Sequence, residues 1–356
     1  MIRKASFKNF RGFQHMELSD MRAITLIAGK NNSGKSSILE GIFLALNHRA
    51  PKTFIDLNKI RGLPVLMTPA ILWEPLFYNL LKDEEVEIDL TLNDGELKLK
   101  YSWDDAFMPV DGSQTVLNQI ISSVQLPHSL KFEFQYGEIF DTGYFIMETQ
   151  GISRNGNRAK LLDTSKIVFL PIILYIHTSR GEHNNFAAEL FGIAVRKKKK
   201  TQIIEILKII DDSISDITTV VSGDRSQLYA NVHDQWLPLK LAGDGLDRLL
   251  LIVSSLIAQP RSVLLIDEIE SGFHHSVYDL VWKAIMTVAR EHGCQIVATT
   301  HSYECLESAV NAAKDPEVQD DFCYFRLARN KRGETVAHRF SQELLAHATD
   351  NDLEVR

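Results

Sequence analysis

The chain has 356 residues, 45% of them hydrophobic and 24% charged, and a formal net charge of −7. Those values suit a globular protein with a full core and exclude a largely disordered chain. The acidic balance argues against wholesale wrapping of nucleic acid and leaves room only for a local basic patch.

In chain order, Ile2, Ala5, Phe7 and Phe10 interleave with Arg3, Lys4, Lys8 and Asn9, as in a half-buried strand. A compact apolar strand, Ala23–Ala28, runs into Gly29–Ser37, and a helical pattern follows over Ile38–Leu46. The loop reads GKNNSGKSS and satisfies G-x-x-x-x-G-K-[ST] with Gly29, Gly34, Lys35 and Ser36. Glycines let successive N–H groups of Asn31, Asn32, Ser33, Gly34, Lys35, Ser36 and Ser37 turn inward around phosphate oxygens. Lys35 places an ammonium by the β/γ phosphates, and the Ser36 hydroxyl is a Mg²⁺ ligand. The helix that follows points its positive end at the anion. The substrate expected from this loop is therefore ATP with Mg²⁺.

Residues 86–102 read as a hairpin around Asn93–Glu96, and 103–129 as loop with a short helix. Leu130–Tyr136 and Tyr144–Glu148 read as strands, and 183–216 as helical. The longest apolar run, Ile167–Ile176, is broken by Pro171 and is too short to cross a bilayer. The basic run Arg196–Lys200 is read chiefly as a solvated helix end, with nucleic-acid phosphates as the alternative partner.

Leu228–Val232 and Trp236–Leu239 flank a turn. Gly243-Asp244-Gly245 then opens an apolar helix, Leu246–Leu256. A glycine turn at a helix start is a second anion cradle. One chain already carries a phosphate loop, so this second cradle is expected to serve a partner subunit's nucleotide. A homodimer or higher homo-oligomer through the ATP interface follows.

Val263–Ile266 is a strand buried on both faces that ends in Asp267 and Glu268. Asp267 is the metal-holding carboxylate, and Glu268 orients the attacking water. After an amphipathic helix, Val277–Arg290, the strand Ile296–Thr300 ends at His301, one crossover later. Carboxyl ends of parallel strands gather at the ligand, so His301 can reach a γ-phosphate. Glu268, His301 and Lys35 are thus the catalytic candidates. A last hairpin, Tyr324–Leu327 with Thr335–Arg339, closes the pattern. Cys294, Cys305 and Cys323 have no zinc spacing and form no closed disulfide framework. With no apolar signal core at the N-terminus, a cytoplasmic protein with reduced thiols is expected.

These elements, in this order, resemble the ABC-type ATPase heads of SMC, RecF and OLD-like proteins, and Phe7–Phe13 resembles their first strand. A closer likeness is to bacterial AAA family ATPases, or ATP/GTP phosphatases. It rests on Trp73-Glu74-x-Leu76-Phe77, Gly243-Asp244-Gly245 with Arg248-Leu249-Leu250, Asp267-Glu268-Ile269-Glu270-x-Gly272-x-His274, Ala298–Ser302 and Glu354-Val355-Arg356. The resemblance covers both ends of the chain well and the middle poorly.

It implies an α/β fold: a single ABC-type head with a RecA-like parallel core in a mixed sheet, an N-terminal antiparallel β part and an inserted helical region. Residues 1–102 would form the β and phosphate-loop part, 103–222 the inserted part, and 223–356 the part with the signature turn, the acidic strand and the switch histidine. Two heads would sandwich two ATPs, with Gly243–Gly245 acting in trans and Glu270–His274 crossing the interface. Lys35 and Asp267 are 232 positions apart, but no sustained heptad pattern fills that interval, so no coiled-coil arm is expected. Only 55 residues follow His301, so no appended nuclease is expected.

Two positions depart from the relatives. Asp244 stands where most carry serine, and no glutamine lies between Ser37 and residue 113 to act as the usual metal sensor. The first departure predicts slow, switch-like ATP turnover. Relatives include ATPase subunits of bacterial anti-phage systems such as PARIS and retron or Septu-type modules. The implied role is a nucleotide-dependent sensor or scaffold controlling a separately encoded effector, a nuclease or toxin. The alternative is a RecF/SMC-like DNA-repair or recombination ATPase.

Overall fold

The structure, a computed structural model, describes residues 1–50, 52–62, 72–104, 129–148, 151–155, 170–177, 184–223 and 225–340. Most of the expected loop and helix at 103–129 and the terminal Glu354–Arg356 lie outside the described residues.

The strands of the N-terminal half are β1 (Ile2–Phe10), β2 (Phe13–Ser19), β3 (Ile24–Gly29), β4 (Val86–Leu92), β5 (Gly95–Asp104), β6 (Ser129–Tyr136), β7 (Ile139–Glu148) and β8 (Gly151–Asn155). All except β3 join one antiparallel sheet of order β2-β1-β4-β5-β6-β7-β8. Period-two patterning drives it: Val86, Ile88, Leu90 and Leu92 are buried while the residues between them face outward.

β3 is buried along its whole length and belongs to a second sheet. Its partners are β9 (Ile173–Ile176), β13 (Val263–Ile266), β14 (Gln295–Thr300), β15 (Phe322–Arg329) and β16 (Thr335–Phe340), in the order β16-β15-β3-β14-β13-β9. The strands from β15 to β9 pair in parallel, and β16 adds an antiparallel edge. A third, three-stranded sheet holds β10 (Ile214–Ser222), β11 (Arg225–Val232) and β12 (Gln235–Pro238).

Alternate residues of the parallel strands feed two cores. Leu26, Ala28, Leu264, Ile266, Ile296 and Ala298 face one cluster. Ile27, Val263, Leu265, Val297 and Phe325 face the other. The second core is capped by α1 (Lys35–Leu46) and α2 (Lys52–Ile60) and by the antiparallel sheet. The first is covered by α3 (Asn184–Arg196), α4 (Lys200–Leu207), α5 (Asp244–Ala258), α6 (Tyr278–His292) and α7 (Tyr303–Ala312). α5 buries every residue from Leu249 to Ala258, so it is a central core helix that holds its N-terminus in a fixed place. Gln295 ties the two halves together. Its Oε1 accepts from Ile2 N at 2.7 Å, and its Nε2 donates to Ile2 O at 2.8 Å and Arg22 O at 2.9 Å.

The expected helical stretch over 183–216 is shorter than its sequence pattern. α4 stops at Leu207, and β10 begins at Ile214. Asp211 accepts from Ser213 N–H and breaks the helix, and the run Ile217-Thr218-Thr219-Val220-Val221 is rich in β-branched residues. The part 103–222, expected to be an inserted helical region, also carries β6 to β8 as the outer strands of the first sheet. Among the described residues the longest helices, α5 and α6, have 15 residues each, and none forms a coiled-coil arm. No helix among them is long and apolar enough to cross a membrane.

Candidate nucleotide site

β3 delivers the chain into the phosphate loop, where two glycines are required. A Cβ on Gly29 would lie 2.7 Å from Leu327 O. Gly34 has φ 90°, and a Cβ there would lie 2.5 Å from the Phe13 ring. Phe13, on β2, is thus the floor of the loop, a role no local pattern announces. Asn31 and Asn32 lie exposed on the rim, and Ser33 is buried with its Oγ unpaired. Bound phosphate would satisfy that hydroxyl. Lys35 opens α1, with Ser36 and Ser37 in its first turn.

Lys35 is 4% exposed, and its ammonium donates to Gly29 O at 2.7 Å and Lys30 O at 3.1 Å. Burial pushes its pKa down, opposed by the carboxylates of Asp267, Glu270 and Glu268. Lys35 and Arg248 together face these three carboxylates, an excess of negative charge that a metal ion would offset.

Asp267 leaves β13 with its N–H donating to Ile176 O at 2.9 Å. Its Oδ2 accepts from Ser36 Oγ at 2.8 Å, joining residues 231 positions apart. Its Oδ1 accepts from Thr299 Oγ1 at 2.6 Å. Glu268 adopts left-handed φ of 48°, which costs a non-glycine residue about 1–3 kcal/mol unless its surroundings hold it. They do so here from two sides. Its N–H donates to Thr299 Oγ1 at 2.8 Å, and Arg248 Nη2 donates to Asp267 O at 2.7 Å and Glu268 O at 2.9 Å. The turn sends the Glu268 carboxylate toward His301, whose Nε2 lies 3.6 Å from Glu268 Oε1. Both side chains are partly exposed and reachable by a ligand. His301 is fixed in turn by its N–H, which donates to Glu270 Oε1 at 2.6 Å.

The structure thus brings Lys35, Ser36, Asp267, Glu268 and His301 together at the carboxyl ends of β3, β13 and β14. Gly243–Gly245 stands elsewhere on the same face, at the start of α5. A Cβ on Gly245 would lie 2.7 Å from Gly272 O, so the signature turn packs directly on the loop after Asp267. Asp244 and Gly245 open the first turn of α5, ahead of the expected start at Leu246. Arg248, one turn into α5, is committed to the backbone of residues 267 and 268.

Two stretches singled out in the sequence make structural contacts. Trp73–Phe77, part of the family likeness, packs beside β1. Trp73, Leu76 and Phe77 are buried, Phe77 bridges to Phe10, and Arg11 N donates to Leu76 O at 2.8 Å. Within Arg196–Lys200, Lys197 donates to Ile257 O and Ala258 O at the end of α5. Lys199 pairs with Glu291 at 2.7 Å and Lys200 with Asp216 at 2.6 Å. Those three cations serve intramolecular contacts.

Beside the loop, on α1, Glu40 is 1% exposed and shared by Arg11 at 2.7 Å and Arg61 at 2.7 and 2.8 Å. Glu40→Ala leaves two cations facing a low-dielectric wall. Stability is expected to fall by about 3–5 kcal/mol, read from chemical denaturation, and an unchanged unfolding midpoint would contradict this placement.

A hard divalent ion fits the donor set. Ser36 Oγ and Asp267 Oδ2 meet at 2.8 Å, two oxygens of the kind Mg²⁺ takes alongside water and substrate phosphates. Among the described residues no cluster of three or more His, Cys, Asp or Glu could hold a metal by itself.

Comparison with known proteins points to ATPases of the AAA and SMC-head type. Residues 156–307 match a family model described as "AAA domain, putative AbiEii toxin, Type IV TA system", and residues 1–108 match one described as "AAA ATPase domain". An ATP/GTP phosphatase of Helicobacter pylori is 24% identical across 96% of this chain and 99% of its own. An uncharacterised protein of Methanocaldococcus jannaschii is 36% identical over 112 residues, 29% of this chain and 48% of its own. Among solved structures, an Smc head bound to the C-terminal winged-helix domain of ScpA aligns with TM-score 0.53 at 15% identity, over 96% of this chain and 97% of that one. An Smc head with an extended coiled coil, bound to the C-terminal domain of ScpA derived from Pyrococcus furiosus, aligns with TM-score 0.52 at 12% identity, over 99% of each. At such identities the likeness establishes the fold.

Proposed function

We propose that this chain, an ATPase of the ABC/AAA kind with an SMC-like head fold, works as a nucleotide-dependent switch controlling a separately encoded effector. The observation that carries the nucleotide site is the 2.8 Å contact between Ser36 Oγ and Asp267 Oδ2. It joins the phosphate loop to the acidic strand end at the place where a triphosphate would sit.

In this reading the N–H groups of Asn31–Ser37 and the Lys35 ammonium bind the phosphates. Ser36 and Asp267 would hold Mg²⁺, which when bound neutralises charge on the β- and γ-oxygens. Glu268 orients the attacking water, and His301, 3.6 Å from it, meets the γ-phosphate. Little covalent work is asked of the protein, since phosphoryl transfer is mostly positioning and charge stabilisation.

Gly243–Gly245 would complete the nucleotide site of a second copy. Leu241, two residues before Gly243, is 76% exposed, an unusual setting for a large apolar side chain and one that a subunit interface would cover. Asp244 places a carboxylate where the partner's γ-phosphate would approach, which opposes closure electrostatically. Asp244→Ser is therefore expected to raise steady-state ATP turnover about tenfold, the equivalent of about 1.4 kcal/mol of barrier. A rapid wild-type rate that the substitution leaves unchanged would count against switch-like holding.

An effector in an anti-phage system, a nuclease or toxin, is the partner class that this reading favours. The likeness over residues 156–307 to a domain described as a putative toxin of a type IV toxin–antitoxin system supports a two-component setting. Affinity isolation of the native protein with and without ATP tests it. A co-purifying protein whose retention depends on nucleotide is expected, and recovery of the chain alone in both states would reject it.

A further inference from the structure

We propose that Thr299 is the positioning residue of this ATPase, a single buried hydroxyl that sets both the metal-holding and the water-orienting carboxylate. The inference rests on the roles given above to Asp267 and Glu268 and adds the group that aims them.

Thr299 lies at the penultimate position of β14 and is fully buried. A hydroxyl has one proton and two lone pairs, and this one uses both functions on the two consecutive residues that follow the neighbouring strand β13. It donates to Asp267 Oδ1 at 2.6 Å and accepts from Glu268 N at 2.8 Å. The Thr299 carbonyl then accepts from Ile269 N at 3.0 Å, so three successive residues are pinned to one.

Two consequences follow. Occupying Oδ1 fixes the plane of the Asp267 carboxylate and leaves Oδ2 as the oxygen aimed at Ser36. Holding the Glu268 N–H stabilises its left-handed turn, and this turn, not continued strand, directs the side chain to His301. No other uncharged side chain of this size except serine can donate and accept in the same place. Valine matches the shape and does neither, and alanine removes the hydroxyl without adding a methyl group beside Asp267.

The distinguishing experiment compares Thr299→Val, Thr299→Ala and Thr299→Ser in the full chain. Three quantities are read: steady-state ATP turnover, the Mg²⁺ concentration needed for half-maximal binding of a fluorescent ATP analogue, and the affinity for that analogue in EDTA. Loss of hydrogen bonds to a charged group predicts that kcat falls about 10- to 100-fold in Val and Ala. The Mg²⁺ midpoint should rise severalfold, while analogue affinity in EDTA stays within about twofold of wild type, since the phosphate loop is untouched. Serine should restore both kcat and the Mg²⁺ midpoint.

If Val disturbs the strand and loses EDTA-resistant binding, Ala decides. Wild-type kcat and Mg²⁺ midpoint in Ala overturn the proposal, as does a Ser variant no better than Ala. Lys35→Ala separates the two levels of inference. If it abolishes turnover while the Thr299 variants are neutral, the nucleotide site stands and the role of Thr299 is wrong. If Lys35→Ala is itself neutral, the site assignment has failed.

Discussion

Lys35→Ala is expected to abolish measurable ATP turnover and to weaken MgATP binding by about 30-fold to several thousand-fold, the range for removing one member of a desolvated charge pair. The ammonium is 4% exposed and bonded to Gly29 O and Lys30 O, so it is held inside the loop that surrounds the phosphates. Three carboxylates surround it, those of Asp267, Glu270 and Glu268. Without Lys35, a polyanion entering this site meets three carboxylates with no ammonium inside the loop, while Arg248 is held by the backbone carbonyls of residues 267 and 268. Isothermal titration with MgATP checks the affinity, and a phosphate-release assay checks the rate. Native-like melting of the variant would confirm that the loss is local.

Glu268→Gln should separate binding from chemistry. The features that hold this residue are backbone contacts: Thr299 Oγ1 on its N–H and Arg248 on its carbonyl. Glutamine keeps both, and the side chain is 44% exposed, so the substitution carries little structural cost. What it removes is the carboxylate charge facing His301. Removing a positioned base lowers the rate by about 10²- to 10⁴-fold, while MgATP affinity is expected to stay near wild type. With ATP held unhydrolysed, a closed two-head state should accumulate and be visible by light scattering after size exclusion. Turnover equal to wild type would remove Glu268 from the mechanism.

The parts of the site legible in the sequence are those whose chemistry is contiguous. Gly29–Ser37 reads as a phosphate loop because the strand before it and the helix after it are local patterns. The acidic end of β13 and the histidine after β14 are legible because buried parallel strands are short apolar runs with polar termini. The parts that were not legible depend on pairings between distant segments.

Phe13 forms the floor of the loop only because β2 folds under Gly34. Arg248 appears in the sequence only as part of the family likeness, yet it clamps two carbonyls about 20 positions away. Thr299 reads as one more β-branched strand residue. Its double hydrogen bond exists because β14 lies beside β13 in register, with Ala298 opposite Ile266. β10 was hidden for a different reason. Its isoleucines continue the spacing of the preceding helix, and only the break at Asp211 and the β-branched run reveal the change of period. Likewise, the basic run keeps its charge in the sequence but spends three cations on Ile257, Ala258, Glu291 and Asp216.

The most direct test of the shared site is equilibrium titration of the purified chain with a fluorescent ATP analogue, with Mg²⁺ and with EDTA, for wild type and Asp267→Asn. Saturable binding that Mg²⁺ tightens in wild type, and a Mg²⁺ effect that largely disappears in Asp267→Asn, is the predicted result. Binding that ignores Mg²⁺ in both proteins, or no binding at all, would contradict a metal–triphosphate site built from Ser36 and Asp267.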